Sequence, residues 1–320
     1  MLNWGIAGLG NIAYRVAKDF DYISNGRLIA VASRCKEKSK KFAAEFSVDH
    51  AFGSYEDMAN CSSVDAVYVS TIHPLHYPLA KLFLSQGKHV MVEKPAVVSV
   101  SQWLDLVETA KRNSCFLMEA MKFPLFPAYV KMKQYLLEGN HRVNKINACF
   151  GNHHVFDRNW HLFDKTLYGG AKYDVGCYLV WLYVDLLYSY ITSDIDVNRI
   201  EATINENSDV DERTDFIFKK PAQATLQSSI IDNYPRDALI TTDRSTIKIH
   251  GKWWNPKKID VHHYNNVFSI DDSKSQGGGF QYEFIHFAEC VFQGFNESPL
   301  ITHKKTEIVL KLIESEKYAI

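Results

Sequence analysis

The chain contains 320 residues, of which 46% are hydrophobic and 13% aromatic, so it can bury substantial cores, and its length favours two domains over one. Lys and Arg together number 36 against 37 for Asp and Glu, which leaves a net charge of −1. This balance gives no electrostatic basis for binding nucleic acid or an anionic membrane surface, so we expect a small-molecule substrate and no nucleic-acid partner.

Cysteine usage and the N-terminal sequence indicate the cytoplasm. The six cysteines form no C-x-x-C pair and no short spacing suited to zinc, so reduced and mostly buried thiols are expected. Met1 is followed by a strand-turn pattern instead of a basic stretch and a long apolar core. The apolar run at 178–191 contains Asp185 and is too short to span a bilayer. We therefore expect a cytoplasmic protein without a membrane partner.

The first residues predict a strand, a glycine turn and a helix in immediate succession. An apolar strand at 2–7 runs into the pattern Gly8-x-Gly10-x-x-Ala13, and a helix-compatible run covers 12–20. The first glycine permits a tight turn, the second lets the backbone approach a pyrophosphate, and the third small residue allows close packing. Unpaired N–H groups at the helix N-terminus would then face the diphosphate. The predicted pyrophosphate ligands are Gly8, Gly10, Asn11 and Ile12.

Strand-like and helix-like segments alternate through about residue 120. The strand runs cover residues 27–32, 64–70, 89–92 and 115–119. The helix runs cover residues 36–46, 79–86 and 101–113. Such alternation predicts a doubly wound, mainly parallel α/β sheet, and hence a dinucleotide-binding domain over residues 1–120.

From about Val143 the predicted strands follow one another without intervening helices. They cover residues 200–206, 214–218, 223–231, 238–242, 246–250 and 259–263. Several alternate apolar with polar residues, which suits a largely antiparallel sheet with one covered face. Two helices are predicted after these strands, at 282–292 and 305–320. Residues 121–320 are therefore predicted to form an α+β domain with a large, mostly antiparallel open sheet.

The end of the second strand indicates which dinucleotide binds. An NAD-selective site usually has an acidic residue there, which accepts hydrogen bonds from the ribose 2′-hydroxyl. Here the strand ends in Ala32-Ser33-Arg34, and Lys38 follows in the next helix. These polar side chains can bind a 2′-phosphate, so NADP is favoured over NAD. The alternative is that Arg34 is an ordinary solvated residue at the end of a strand.

Two further loops follow strands at their carboxyl ends, where open α/β sheets bind ligands. One is Glu93-Lys94-Pro95, in which the proline fixes the local backbone. Glu119, at the end of the next strand, is expected to border the same cleft. The other loop supplies three candidate ligands, Thr71, His73 and His76. No carboxylate or cysteine completes a ligand set around the histidines, so no metal site is predicted.

Three motifs in this order resemble those of the Gfo/Idh/MocA oxidoreductase family. They are the glycine turn, the Glu-Lys-Pro tripeptide at 93–95, and Gly-Gly-Ala-x-x-Asp-x-Gly-x-Tyr from Gly169 to Tyr178. The last motif is similar to that of the subgroup containing dimeric dihydrodiol dehydrogenases. The resemblance covers nearly the whole chain and implies a Rossmann domain, a second domain with an open sheet, and an active site over the nicotinamide.

The resemblance also implies roles for particular loops and surfaces. The loop with Thr71 would touch the ribose and the nicotinamide of the cofactor, and Glu93 and Lys94 would border the cofactor and the substrate. Two subunits would pair through their open sheet faces, so a homodimer is the leading assembly. His161, Tyr168 and the stretch 121–123 depart from residues often found in the subgroup, so the resemblance does not assign the substrate.

Tyr178 is the predicted proton carrier. Hydride transfer from a carbinol carbon requires removal of the hydroxyl proton, and the reverse reduction requires its delivery to the nascent alkoxide. The pKa of a free tyrosine, about 10, is too high for this role near neutral pH unless a cation such as Lys94 favours the phenolate. Asp174, on the same predicted helix face, would bind a second substrate hydroxyl or orient Lys94. Without the resemblance, Tyr178 reads as a packed aromatic residue and Asp174 as a carboxylate at a helix N-terminus.

The sequence therefore predicts an NADP-preferring oxidoreductase whose catalytic residues are Lys94, Tyr178 and Asp174. It would transfer a hydride between the nicotinamide and a secondary carbinol or carbonyl carbon of a sugar, polyol or cyclic diol. One alternative is a regulator or scaffold that senses NAD(P) without catalysis. Another is a dehydratase-like or glycosidase-like enzyme that recycles a tightly bound nucleotide.

Overall fold

Six parallel strands form the first sheet of the protein, whose computed structural model describes residues 1–190, 195–204, 208–315 and 318–319. The strands are β1 (Leu2–Ala7), β2 (Gly26–Ala32), β3 (His50–Phe52), β4 (Ala66–Val69), β5 (His89–Glu93) and β6 (Leu117–Ala120). Their order is β3-β2-β1-β4-β5-β6, so the strand order reverses beside β1. This is the order of a Rossmann domain, and the predicted doubly wound sheet is confirmed.

Helices join these strands and cover the sheet. They are α1 (Asn11–Asp19), α2 (Lys36–Phe46), α3 (Tyr55–Ala59), α4 (His76–Ser85) and α5 (Val100–Arg112). α1 buries Ala13, Val16 and Ala17, whose three- and four-residue spacing gives it one apolar face. The sheet residues beneath are fully buried as well, as in Ile6 and Val31. The sheet is thus covered on both faces, as parallel sheets usually are.

Nine strands form the second sheet within the described residues. After α6 (Pro127–Glu138) come β7 (Val143–Gly151), α7 (Cys177–Leu187), β8 (Asp196–Ile204), β9 (Asp211–Lys220), β10 (Gln223–Ser229), β11 (Ala238–Thr242), β12 (Ser245–Ile249), β13 (Lys258–His263), β14 (Asn266–Asp271) and β15 (Tyr318–Ala319). Their order is β14-β13-β12-β11-β7-β10-β9-β8-β15. β7 pairs with β10, and β8 with β15, in parallel, whereas the other described pairs are antiparallel. The predicted mostly antiparallel sheet is confirmed.

One face of the second sheet is covered and the other is open. Along β10, Ala224 and Leu226 are buried while Thr225 and Gln227 are exposed, because successive side chains point to opposite faces of a strand. The apolar helix α7 packs over β7 and β10 on the buried face. The alternation predicted from the sequence therefore corresponds to a real division between core and surface.

The chain divides into two compact units. One contains Met1–Lys122 and Gln276–Glu307, and the other contains Phe123–Ser275 and Ile308–Ile320. The first unit includes α8 (Gln281–Phe292) and the start of α9 (His303–Glu314). The predicted domain boundary after residue 120 remains a prediction, and the structure adds that a later segment of the chain packs with the first sheet.

Aromatic contacts and a buried carboxylate explain why this segment belongs to the first unit. The Trp4 ring lies 4.6 Å from the Phe284 ring and 4.7 Å from the Phe287 ring, centroid to centroid. Asp19, at the end of α1, is only 5% exposed. Its carboxylate accepts the N–H of Gly278 at 2.8 Å and the N–H of Phe280 at 2.9 Å. These contacts link the segment before α8 to the first helix of the chain.

Several elements were not predicted from the sequence. They are β3, α3, α6, β7, β14 and β15. The last helix ends at Glu314, short of the predicted end at 320. Residues 205 and 206 of the strand predicted at 200–206, and residues 316, 317 and 320 of the predicted final helix, lie outside the described residues.

All six cysteines are free thiols, but only Cys115, Cys177 and Cys290 are buried, so the expectation of mostly buried thiols holds for half of them. In the part of the chain that the structure describes, no helix combines the length and the apolar character needed to cross a bilayer.

Asp19→Asn is expected to destabilise the first unit by about 1–3 kcal/mol, because a buried carboxylate that accepts two backbone N–H groups loses its charge and one acceptor. Urea unfolding, followed by tryptophan fluorescence, measures the change. Asp21→Asn, at an exposed position on the same turn, makes the same change of charge and should alter the free energy of unfolding by less than about 0.5 kcal/mol. Equal effects of the two variants would contradict the anchoring role of Asp19.

Candidate active site

The turn after β1 requires glycine at its first position. Gly8 has a φ of +97°, and a Cβ there would lie 2.6 Å from the Cγ2 of Thr71 and 2.9 Å from the backbone oxygen of Ser70. Its N–H donates to the backbone oxygen of Ala32 at 3.0 Å, which fixes the turn beside the end of β2. The chain therefore turns sharply at the point where the strand order of the sheet reverses.

The N-terminus of α1 is open to an anion. Gly10 is the N-cap residue, no side chain caps the helix, and its first turn contains no acidic residue. A Cβ on Gly10 would meet no atom within 4 Å, so there is free space beside this helix end. Asn11 is exposed and Ile12 is half-buried. Uncapped N–H groups beside open space fit the pyrophosphate of a dinucleotide, which the sequence predicts at this position.

The loop after β4 lies against the same turn. The Ser70 hydroxyl donates to the backbone oxygen of Gly8 at 2.9 Å. The Oγ1 of Thr71 is buried and has no hydrogen-bond partner among the described residues. A buried hydroxyl without a partner is unfavourable unless a ligand or water completes its bonding, so Thr71 fits a cofactor contact.

His76 joins two loops of the first sheet. It is only 1% exposed, its Nδ1 lies 2.9 Å from the backbone oxygen of Pro95, and its Nε2 lies 3.1 Å from that of Thr71. Burial lowers the pKa of this imidazole, and the nearby Lys94 cation acts in the same direction. A neutral imidazole has one N–H, so it donates to one of these oxygens at a time. Direct contact of His76 with a cofactor remains a prediction, and the described geometry gives it a bracing role.

The two histidines of the loop after β4 lie close together. The His73 and His76 rings lie 5.7 Å apart, centroid to centroid. Within the described residues, no group of three or more His, Cys, Asp or Glu is arranged to hold a metal ion.

Positive charge follows the end of β2, but Ser33 is engaged within the protein. Ser33 is only 6% exposed. Its hydroxyl donates to the backbone oxygen of Cys35 at 2.8 Å and shares a hydrogen bond with the Ser39 hydroxyl at 2.9 Å. Arg34 and Lys38 are exposed. Burial raises the pKa of Tyr55, and the Arg34 cation opposes this rise, so Arg34 lies near that ring. Ser33 therefore shapes the turn that presents the two cations.

The Glu93-Lys94-Pro95 loop is fixed from within the first unit. The buried Glu93 carboxylate accepts hydrogen bonds from the Tyr68 hydroxyl and, at 3.1 Å, from the Lys94 backbone N–H. Burial raises the pKa of Glu93, while the Lys94 cation is the main opposing influence. The Lys94–Pro95 peptide bond is cis. Lys94 is partly buried and directly follows Glu93, whose carboxylate lies in the interior.

Glu119 does not border the cleft and instead fixes the same loop from inside. It is 1% exposed, its Oε1 accepts the Ala96 N–H at 3.0 Å, and its Oε2 accepts the Thr306 hydroxyl at 2.9 Å. The expectation from the sequence was therefore wrong, because Glu119 is buried and both of its carboxylate oxygens accept hydrogen bonds from within the protein.

Two buried charged residues near Glu93 were not predicted from the sequence. Lys122 is 5% exposed, and its Nζ lies 4.3 Å from the centre of the Phe280 ring. Burial lowers the pKa of Lys122 to about 8. Glu283 is 1% exposed, and burial raises its pKa well above the usual range of a carboxylic acid. A lysine between Met121 and Phe123 is the only local signal, since Glu283 lies far along the chain.

The motif of the second unit forms a π-helical segment that continues into α7. The π segment covers Lys172–Gly176 and contains the partly exposed Asp174. Tyr178 is half-buried near the start of α7, and its ring centre lies 5.5 Å from that of Phe150. The predicted regular helix from Asp174 is therefore present as α-helix only from Cys177. Single π turns inside helices occur frequently at functional sites.

Comparisons with known proteins connect both units to one family. The model of the Gfo/Idh/MocA oxidoreductase family, with its NAD-binding Rossmann fold, matches residues 2–121. A trans-1,2-dihydrobenzene-1,2-diol dehydrogenase from Xenopus tropicalis is 30% identical over 97% of this chain and 96% of its own length. The enzyme of the same name from Homo sapiens is 27% identical over 100% of this chain and 97% of its own length.

Solved structures share the fold over nearly the whole chain. An aldose-aldose oxidoreductase from Caulobacter crescentus, complexed with glycerol, superimposes with a TM-score of 0.85 at 19% identity and covers 98% of this chain and 95% of its own. A 3-ketoreductase from Actinomadura kijaniata, in complex with NADP and TDP-benzene, has a TM-score of 0.83 at 20% identity, with coverage of 98% and 96%. At this level of identity the two structures establish the fold alone.

Gly10→Ala is expected to weaken the binding of NADPH and NADH alike by roughly tenfold to a hundredfold, because its methyl group would occupy the space beside the uncapped helix end. Its free energy of unfolding should change by less than about 1 kcal/mol. Gly8→Ala is the contrasting variant, because it should destabilise the protein by about 1–3 kcal/mol through backbone strain and contact with Thr71. Fluorescence titration and urea unfolding measure the two effects. Unchanged dinucleotide binding by Gly10→Ala would contradict this location of the pyrophosphate.

Proposed function

Because the chain belongs to the Gfo/Idh/MocA family of NAD-binding oxidoreductases, we propose that it transfers a hydride between NADP and a secondary carbinol or carbonyl carbon. The proposed substrate is a polyhydroxylated small molecule, namely a sugar, polyol or cyclic diol. The similar proteins support this class, since their names specify a dihydrobenzenediol, an aldose and a 3-keto group.

One observation carries the proposal: Lys94 stands at the same sheet edge as the open N-terminus of α1. β1, β4 and β5 are neighbouring parallel strands, so their carboxyl ends share one edge. His76 spans the loops after β4 and β5 at this edge, through the backbone oxygens of Thr71 and Pro95. A cation beside a dinucleotide-binding edge is well situated to act on a substrate that meets the nicotinamide.

Residues of the first unit would hold NADP. The open end of α1 would hold the pyrophosphate, Arg34 and Lys38 would bind the 2′-phosphate, and the buried Thr71 hydroxyl would contact the nicotinamide ribose. When bound, the cofactor supplies the hydride acceptor or donor. The full set of proposed cofactor residues is Gly8, Gly10, Asn11, Ile12, Ser33, Arg34, Lys38, Thr71, His73, His76, Glu93 and Lys94.

Proton transfer is assigned to Tyr178 and Lys94. In the reductive direction the Tyr178 hydroxyl would donate its proton to the oxygen of the carbonyl group as the hydride arrives, and in the oxidative direction the phenolate would remove the hydroxyl proton. The Lys94 ammonium would stabilise the phenolate and the developing alkoxide. Asp174 would bind a second hydroxyl of the substrate or orient Lys94.

The proposed assembly is a homodimer in the cytoplasm. The open face of the second sheet supports the dimer, because its central strands form a groove lined by side chains that a second copy of the face would cover. These include Asn147, Cys149, Thr225, Gln227, Leu239 and Lys248. Six free thiols support a reducing compartment.

Tyr178→Phe is expected to lower kcat by roughly 100- to 10,000-fold, because the variant keeps the ring and loses the proton carrier. The affinity for NADPH should remain within about twofold of wild type, since the hydroxyl is not assigned to the cofactor. Steady-state kinetics with a panel of keto sugars and cyclic hydroxyketones measures the effect. Tyr173→Phe, on the neighbouring π segment, controls for the loss of a hydroxyl. Undiminished turnover by Tyr178→Phe would remove the proton-carrier role.

Arg34→Ala is expected to weaken NADPH binding by roughly tenfold or more and to leave NADH binding nearly unchanged, because only NADPH carries the 2′-phosphate. Parallel fluorescence titrations at modest salt give both dissociation constants. Lys40→Ala, an exposed position on α2, controls for the removal of one positive charge. A wild-type preference for NADH, or equal losses for both cofactors in Arg34→Ala, would contradict the assignment of the 2′-phosphate site.

A further inference from the structure

The segment that carries Asp174 and Tyr178 begins at a constrained glycine turn. Gly170 has a φ of +104°, and its N–H donates to the backbone oxygen of Leu162 at 2.9 Å. The backbone oxygen of Gly170 accepts the Asp174 N–H at 3.1 Å. Ala171 is fully buried in a small apolar cluster with Leu162. The start of the π segment is therefore held tightly, while its first N–H groups need acceptors.

A carboxylate from the second sheet supplies one of these acceptors. The Oδ2 of Asp211, on β9, accepts the backbone N–H of Lys172 at 2.7 Å and the Thr214 hydroxyl at 2.5 Å. A Cβ on Gly170 would overlap this carboxylate, so the glycine is what lets Asp211 approach the segment. An anion at the start of a helical segment is also favoured by the helix dipole.

Asp211 is itself fixed by the sheet. β9 pairs with β8 and β10, and Thr214, one of its central residues, lies opposite Ser228 of β10. The Ser228 hydroxyl donates to the backbone oxygen of Thr214 at 2.7 Å. A carboxylate on a doubly paired strand is a rigid reference point for the segment that it holds.

We propose that Asp211 is a positioning residue, whose ionised carboxylate fixes the first turn of the π segment and thereby sets the position of Tyr178 for proton transfer. The inference rests on the proposed function, because it assigns Asp211 a role in the same reaction. Asp211 would act through the backbone of the π segment and would not contact the substrate.

The charge of Asp211 depends on pH in an accessible range. Burial raises its pKa to about 6, and the Thr214 hydroxyl is the largest opposing influence, followed by the Lys172 N–H and the Lys172 ammonium. The charged groups nearest in the chain are Asp209, Glu212 and Arg213, and those of the π segment packed against Asp211 are Lys172 and Asp174. Above about pH 6 the carboxylate is ionised and accepts both hydrogen bonds, whereas below it the protonated acid is a weaker acceptor.

The test compares the pH dependence of kcat in three variants and the wild type. In wild type, kcat should fall as the pH drops through about 6, because Asp211 is protonated. Asp211→Asn should lower kcat at pH 8 by roughly tenfold and should lose that acidic limb, with NADPH affinity within about twofold of wild type. Asp215→Asn is the matched control, since it removes the charge of another carboxylate on the same strand, one that accepts from Gln227 at 2.9 Å, and it should keep the wild-type profile.

Thr214→Val gives a second test that does not require the Asp211 variant to fold. The Thr214 hydroxyl lowers the pKa of Asp211, so its removal should move the acidic limb of kcat to higher pH. An Asp211→Asn enzyme with the wild-type kcat and acidic limb, or a Thr214→Val enzyme with an unmoved limb, would overturn the positioning role and leave the proposed function intact. A wild-type protein that binds NADPH but reduces no member of the carbonyl panel would overturn both.

Discussion

The reversal of strand order beside β1 is the constraint on which the first unit depends. β1 has β2 on one side and β4 on the other, so the connections that follow them leave in opposite directions and open a crevice at the carboxyl edge. Gly8 turns the chain at this crevice, with Thr71 against it, and leaves the N-terminus of α1 uncapped. A side chain at Gly8 or a cap at Gly10 would close the space that a dinucleotide needs.

Three buried ionisable side chains lie near one another at the Glu93-Lys94-Pro95 loop. Glu93, Lys122 and Glu283 are all buried. Burial raises the pKa of the two carboxyl groups and lowers the pKa of the lysine, so it favours the neutral form of each. A buried charge is unfavourable unless it is paired, and a pair rarely contributes more stability than an apolar replacement. Such a cluster therefore adds little to the stability of the fold. Its main effect is on the electrostatic environment of the nearby Glu93-Lys94-Pro95 loop.

The parts of the fold that the sequence predicted are those with a strong local pattern. The glycine turn is recognised from three small residues at fixed spacing, and α2 from an amphipathic run with the observed bounds. β3 has three residues, too few for a period of two to be detected. The packing of Phe284 on Trp4 joins residues that lie far apart in the chain, and no local pattern encodes it.

In the candidate site too, residues in local motifs were predicted, whereas contacts between distant parts of the chain were not. Lys94, Asp174 and Tyr178 stand in short motifs and were predicted from the sequence. The bond from Asp211 to the Lys172 backbone was not, because it depends on strand pairing in the second sheet and on the lack of a Cβ at Gly170. The bracing role of His76 was also hidden, since a sequence does not reveal which carbonyl oxygens a histidine meets once it is buried.

The account is tested most directly by following the hydride itself. The protein would be incubated with NADPH deuterated at the transferable position of the nicotinamide and with keto sugars and cyclic hydroxyketones, and the products analysed by mass spectrometry. The account predicts one deuterium on the carbinol carbon of a product for each NADPH oxidised. Tight NADPH binding without deuterium in any product would contradict it and would favour a protein that senses the dinucleotide without catalysis.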